Sequence, residues 1–224
     1  MNKISMNAVE PCDSASFTVK QRSNFTPYHL LAAKNAAHTA SEIENTYRSI
    51  DPPQKELDLY LSQVSTAIIC SVAVLESNVN EYLIDHEKYI NKVPAISDPR
   101  LLKKYTFNKN ELSSQLLQST NIIFKYDLIW FITKNDLLPE SKIKRSVRYL
   151  TRLRNALTHF TPEWDNSLLK HVKLEKNVQN RFTLSPFYRP GSLFFPHRCL
   201  SASCAIWSCK VSNEFIGLFK SIIG

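Results

Sequence analysis

A short stretch near residue 155 combines the side chains that phosphate chemistry requires. It reads RNALTH from Arg154 to His159, within a basic segment that has no Asp or Glu between Ser141 and Pro162. A guanidinium group can hold a phosphate through two hydrogen bonds, and an imidazole that titrates near neutral pH can transfer protons. Arg154, Asn155 and His159 are therefore the candidate catalytic residues of a site for an anionic substrate.

The basic segment places its polar side chains on one face of a helix. Arg148, Arg152, Asn155 and His159 are spaced by four, three and four residues, so at about 100° per residue they fall along one stripe. Apolar residues fall roughly opposite, at Ile143, Leu150, Leu153 and Leu157. Such a stripe can bind an anionic partner. It is equally the solvated face of an amphipathic bundle helix, with His159 suited to the negative end of the helix dipole.

A second predicted helix, from about 55 to 90, carries a carboxylate on its packing side. Its apolar positions are Ile69, Val72, Val79 and Leu83. Glu76 lies in the middle of that face and Asn80 lies one turn later. A carboxylate on an apolar stripe is costly unless it is paired, so we expect a cation beside Glu76. Arg154 is the candidate because it lies at the edge of the packing side of its own helix. The alternative is that Glu76 lines a solvated groove.

The whole chain predicts an all-α fold, an antiparallel bundle of four to five helices. Apolar periodicity predicts helices at about 27–50, 55–90, 111–134, 139–160 and 203–222. Residues 1–26 show no period and predict a flexible arm, residues 27–164 form the bundle, and residues 165–224 are a C-terminal extension whose final helix packs on it. Only three glycines occur in 224 residues, which disfavours turn-dense β architectures.

Composition limits the function classes. The net charge of +8 mildly favours nucleic acid as a partner, and the sequence has no glycine-rich phosphate loop, so no cofactor is expected. The spacing of His197, Cys199, Cys204 and Cys209 suits zinc poorly, so no metal site is expected.

The N-terminus lacks the apolar core of a signal peptide, and the longest apolar run, 67–75, is too short to span a bilayer. We therefore expect a cytoplasmic protein with no membrane partner.

The RNALTH string, with the aromatic and proline residues that follow it, resembles the signature of the HEPN superfamily. The ribonuclease branch of that superfamily carries an Arg, a polar residue that is often Asn, and a His after a few intervening residues. Arg154, Asn155 and His159 match these positions, with four residues between the Arg and the His. The string LESNVNEYL is similar to a helix in several HEPN families whose acidic residue, here Glu76, neighbours the motif Arg. The resemblance covers about 27–164.

The resemblance implies metal-independent cleavage of RNA. His159 would act as general base or acid around the 2′-hydroxyl and the leaving 5′-oxygen. Arg154 would hold the scissile phosphate and stabilise its charge in the transition state, and Asn155 would orient the phosphate or the imidazole. Glu76 and Asn80 would support this group from the second helix. DNA lacks the 2′-hydroxyl and should not be cut.

Other polar residues are expected to assist outside the motif. Lys144, Arg148 and Arg152 would follow the RNA backbone and make the affinity sensitive to salt. His171 and His197 are candidates for a second proton-transfer role, although both also fit as ordinary surface histidines.

The resemblance also implies partners. HEPN nucleases typically act as dimers with two motifs lining one cleft, so we expect a homodimer with the motif at its interface. Small prokaryotic members are often toxins or antiphage effectors, which implies an antitoxin or regulatory protein as a further partner. Other HEPN domains have no demonstrated cleavage, so the alternative function is a non-catalytic dimerisation or RNA-binding module.

Overall fold

The computed structural model describes residues 23–85, 121–134, 136, 138–160 and 171–223. Within these ranges the chain forms helices and no β-strand. The α-helices are α1 Thr26–Thr46, α2 Gln54–Asp85, α3 Ile122–Lys134, α4 Lys142–Thr158, α5 Val172–Val178 and α6 Ala202–Ile223. A short irregular turn at Phe194–Arg198, in which Phe195 has extended backbone (φ −116°, ψ 135°), precedes α6. The predicted all-α bundle is confirmed.

Helices α1 and α2 are joined at both ends by carboxylates. Glu81, late in α2, accepts hydrogen bonds from the backbone N–H groups of Phe25 at 2.8 Å and Thr26 at 3.1 Å, at the start of α1. These N–H groups have no partner within the helix, and a carboxylate also suits the positive end of its dipole. Near the other end of the pair, Glu44 of α1 accepts a hydrogen bond from the Tyr60 hydroxyl of α2. The two helices therefore run antiparallel.

Helix α6 completes the largest part of the core. The backbone N–H of Ala202, at its first turn, donates to the Glu44 carboxylate at 2.8 Å, which ties α6 to α1. Small side chains on α1 allow close packing; Ala33, Ala36, Ala37 and Ala40 are all buried. The C-terminal helix predicted from the sequence is thus present, and it shares one hydrophobic cluster with α1 and α2.

Helix α3 packs its aromatic side chains against α2 and α6. The buried Tyr126 hydroxyl donates to the carbonyl oxygen of Leu75 at 3.1 Å, and its ring lies edge-on to Phe215 and Phe219 at centroid distances of 4.7 Å. On α2, Val72, Val79 and Leu83 are buried as predicted, whereas Ile69 is 40% exposed and lies outside the packing face.

Some predicted segments lie outside the described residues. These are the N-terminal arm up to residue 22, the end of helix two after residue 85, residues 111–120 of helix three and residues 161–170. Of the C-terminal extension over 165–224, the structure describes residues 171–223, where α5 begins at Val172.

One described helix is apolar over a long stretch. Residues Gln54–Ile84 of α2 are long and apolar enough to cross a bilayer by length and composition, which the shorter run 67–75 did not indicate. Core helices of soluble proteins meet the same criterion, and α2 buries its Tyr60, Val64 and Ile68 side chains in the bundle. The fold is therefore compatible with a soluble protein.

Candidate functional site

Helix α4 presents the candidate residues because its sequence is strongly amphipathic. The helix starts at a Ser141 cap, whose hydroxyl accepts a hydrogen bond from the Lys144 backbone N–H at 3.1 Å. Val147, Leu150 and Leu153 are fully buried. The opposite side of the helix is exposed at Arg152, Asn155 and His159 and partly exposed at Arg148, as the spacing predicted.

The predicted pairing of Arg154 with Glu76 is confirmed. The Nη2 atom of Arg154 donates to Oε1 of Glu76 at 2.6 Å, which joins α4 to α2. The side chains are 24% and 41% exposed, so the pair lies at the rim of the bundle rather than in its core. The Nε atom of Arg154 is buried and has no hydrogen-bond partner among the described residues. The guanidinium group is thus held from one side and still has an unused donor.

Lys125 of α3 adds a second cation to this region. Its Nζ donates to Oδ1 of Asn80 at 2.9 Å, and its side chain is buried. Burial lowers the pKa of Lys125, and the nearby Glu76 carboxylate opposes that shift. Glu76, Asn80, Lys125 and Arg154 therefore form a polar cluster contributed by α2, α3 and α4. Lys125 was missed in the sequence, although a lysine inside the apolar run IIFKYDLIWF indicates a buried polar contact.

Lys144 does not belong to the exposed basic face, so its predicted role in RNA binding is wrong for this fold. Its side chain is 1% exposed, and its Nζ contacts the Asp127 carboxylate and the Leu138 carbonyl oxygen, each at 2.6 Å. Asp127 is itself fully buried. The lysine is held inside the bundle because a buried carboxylate needs a cationic partner.

Arg148 is partly exposed and already paired. Its Nη1 donates to Oε1 of Glu140 at 2.7 Å, just before the start of α4. The hydrogen bond from Arg148 is the main cause of a lowered pKa at Glu140. Arg148 can therefore meet an RNA phosphate only in competition with Glu140, whereas Arg152 is exposed without such an ion pair among the described residues.

His159 lies at the C-terminal cap of α4. Its backbone has φ −112° and ψ 30°, and its N–H donates to the Asn155 carbonyl oxygen at 3.0 Å. The imidazole is exposed, and within the described ranges no side chain orients it through a hydrogen bond. At about 100° per residue, five residues separate Arg154 from His159 by roughly 140° around the helix. One chain therefore does not direct both side chains to the same point.

His171 lies close to this end of α4, but His197 contacts another part of the chain. The rings of Phe160 and His171 both contact Phe195, at centroid distances of 6.0 and 4.6 Å. His197 stacks on Tyr188 at 4.9 Å. Of the two candidates for a second proton-transfer role, His171 is therefore linked through Phe195 to the motif end of α4, whereas the ring contact of His197 is with Tyr188.

The C-terminal cysteines occupy the core. Cys199 and Cys204 are fully buried, and burial raises the pKa of both thiols. The Ser71 hydroxyl lies 3.7 Å from the Cys209 sulfur. Across the described ranges, His, Cys, Asp and Glu side chains nowhere group as three or more metal ligands.

The fold and the site together define an all-α bundle in which a basic helix carries an RNxxxH motif, its arginine anchored to an acidic residue of a neighbouring helix. Comparison of the chain with family models, curated proteins and solved structures finds no significant match. The HEPN resemblance therefore stays a prediction.

Proposed function

We propose that this chain is a metal-independent endoribonuclease of HEPN type. The observation that carries the proposal is the ion pair between Arg154 and Glu76, since it fixes the motif arginine from a second helix. A partly exposed arginine, beside an exposed asparagine and within one turn and a half of an exposed imidazole, has the groups needed to bind a phosphate and move a proton.

In the proposed reaction, His159 takes the proton from the 2′-hydroxyl of the nucleotide before the scissile bond. The 2′-oxygen then attacks phosphorus, and the bond between phosphorus and the 5′-oxygen breaks. The imidazolium gives the proton to the leaving 5′-oxygen, so the products carry a 2′,3′-cyclic phosphate and a 5′-hydroxyl. Arg154 stabilises the added negative charge on the phosphate oxygens, and Asn155 positions them.

The functional unit is proposed to be a homodimer. Arg154 and His159 diverge by roughly 140° around α4, so a second copy facing the motif would supply the missing half of the cleft. A test is to mix Arg154→Ala and His159→Ala proteins, each inactive alone. Recovery of part of the activity supports a composite cleft, because the shared cleft of the mixed dimer keeps one Arg154 and one His159, each from a different subunit. No recovery despite measured exchange of subunits counts against it.

A non-catalytic RNA-binding module is the second candidate. The observation that favours it is the His159 ring, which lacks an orienting partner among the described residues, whereas general bases are usually held by one. In that case α4 binds RNA through Arg148 and Arg152 without cutting it.

Cleavage assays separate the two candidates. Wild-type, Arg154→Ala and His159→Ala proteins are incubated with structured RNA in EDTA, with His38→Ala as the matched control because His38 is an exposed histidine on α1. The nuclease predicts cleavage by the wild type and the His38 variant only. Equal cleavage by all four proteins would place the activity elsewhere. Binding without any cleavage would favour the module.

The wider role rests on the resemblance. We propose a cytoplasmic protein that acts as a toxin or antiphage effector, with RNA as substrate and an antitoxin or regulatory protein as partner. Growth arrest on expression of the wild type, but not of His159→Ala, supports this role. Unimpaired growth at equal protein level argues against it.

A further inference from the structure

A groove lies between the first turns of α4, the segment after α5 and helix α6. Its volume is about 450 Å³, within the range of roughly 300–1,000 Å³ that is common for small-molecule sites. Its lining includes three cations, Lys142, Arg181 and Lys210, against a single carboxylate, Glu214. The aromatic ring of Trp207 forms part of the wall. This combination of charge and a flat ring suits a ligand that is both anionic and planar.

Arg181 is held in place before any ligand arrives. Its Nη1 donates to the Ser146 hydroxyl at 3.0 Å and its Nε donates to the Asn177 carbonyl oxygen at 2.9 Å. The guanidinium carbon lies 4.7 Å from the centroid of the Tyr149 ring. A fixed guanidinium loses little side-chain entropy when it binds a phosphate.

The other charged groups leave the groove cationic. Lys142 is exposed at the first turn of α4, where the helix dipole also favours an anion. Lys210 lies 3.7 Å from Glu214, but both side chains are more than half exposed. Such a surface pair is weak and can open for a phosphate.

Trp207 supplies the planar surface. Its ring is partly exposed, and it packs against Phe182 at a centroid distance of 5.4 Å. Ile206, next to it, is exposed and extends the apolar wall. An aromatic ring beside cations is the arrangement by which proteins bind single-stranded nucleic acid, with the base on the ring and the phosphate on the cations.

A line of polar side chains connects this groove to the motif. Arg145, Arg152 and His159 are spaced by seven residues. At about 100° per residue, each is therefore rotated by only about 20° around the helix axis from the one before it. Arg145 and Arg152 are exposed, and Lys142 at the groove lies about 60° from Arg145. At about 1.5 Å per residue, Lys142 and His159 are roughly 26 Å apart along α4.

We propose that this groove is an RNA subsite that holds one nucleotide of the bound strand, its base against Trp207 and its phosphate among Lys142, Arg181 and Lys210. The inference rests on the proposed function, which makes RNA the substrate. The subsite lies away from the motif and leaves the reaction chemistry unchanged. It sets how long a strand must be to bind fully.

The test measures binding of a 2′-O-methyl RNA of about 12 nucleotides, which resists 2′-hydroxyl attack and at about 3.4 Å per stacked nucleotide exceeds the distance along α4. Trp207→Leu should weaken binding by about tenfold, the scale of one base stacked on an aromatic ring, and Trp207→Phe should keep most of the affinity. Thermal unfolding of each variant checks that the bundle is intact.

The charged side of the groove has a matched control. Lys142→Ala combined with Lys210→Ala should weaken binding by about tenfold, because two phosphate contacts are lost. Lys173→Ala combined with Lys220→Ala removes the same charge from exposed lysines outside the groove lining and should change the affinity by less than about threefold. Equal losses in the two pairs, or an unchanged affinity in the groove pair, would overturn the subsite even if Trp207→Leu fails to fold.

Two further outcomes separate this inference from the proposed function. RNA binding that depends on the groove in a protein that cuts no RNA would support the subsite and count against the nuclease. Cleavage with groove variants that bind like the wild type would support the nuclease and overturn the subsite. Free nucleoside monophosphate that binds as tightly as the 12-nucleotide strand would also overturn it, because the groove would then be a mononucleotide site.

Discussion

Replacement of Lys144 by Met should destabilise the bundle strongly and should leave RNA binding nearly unchanged. The ammonium group contacts Asp127 and the Leu138 carbonyl oxygen at 2.6 Å, with both charged side chains at most 1% exposed. Removing one partner of a buried ion pair costs about 3–5 kcal/mol. At about 2–4 °C per kcal/mol for a chain of this size, the Tm should fall by roughly 6–20 °C.

The assay is chemical and thermal unfolding of a double-mutant cycle. Asp127→Asn combined with Lys144→Met removes both charges and should cost less than the sum of the two single changes. Lys142→Met makes the same substitution at an exposed position two residues earlier and should shift stability by no more than about 0.5 kcal/mol. A Lys144→Met protein that unfolds like the wild type, and that also binds RNA more weakly with a shallower salt dependence, would refute the buried role of Lys144.

Two further predictions concern charges near the site. Glu140→Gln removes the ion-pair partner of Arg148, so the affinity for RNA should rise a few-fold and depend more steeply on salt. The control is Glu42→Gln, which changes an exposed carboxylate on α1 and should leave the affinity unchanged. Equal gains in the two variants would contradict the prediction. Burial lowers the pKa of Lys125, with Glu76 opposing, so the unfolded chain binds its proton more tightly. The free energy of unfolding of the wild type should therefore rise with pH between the lowered pKa of Lys125 in the folded state and about 10.4, its value in the unfolded chain. Urea unfolding measured across this pH range should show no such rise for Lys125→Met. An equal dependence of the unfolding free energy on pH in the two proteins would contradict the prediction.

The sequence alone predicted the part of the site that depends on local periodicity. The exposed face of α4 follows from the spacing of Arg148, Arg152 and Asn155, since the repeat of an α-helix fixes which residues share a side. The pairing of Glu76 with Arg154 followed from the cost of a lone carboxylate on an apolar face. The first prediction depends on the periodicity of a single helix, and the second depends on one contact between two helices.

The errors arose where a contact depends on how three elements meet. The run of cations along the chain predicts Lys144 on the basic face, but its partner, Asp127, lies in the apolar run of α3. The rule used for Glu76 applies equally to Asp127 and would have indicated a buried cation. Its identity could not be read from the sequence, because α3 and α4 had to be placed first. The groove beside Trp207 was missed for the same reason, as its wall comes from α4, α6 and the segment between them.

The most direct test of the central claim is the chemistry of the RNA ends after incubation with purified protein in EDTA. The account predicts 2′,3′-cyclic phosphate and 5′-hydroxyl ends from the wild type, their loss in His159→Ala, and no cleavage when the nucleotide before the scissile bond is 2′-deoxy. A His159→Ala protein that cuts at the wild-type rate, or wild-type products with 3′-hydroxyl and 5′-phosphate ends, would contradict it.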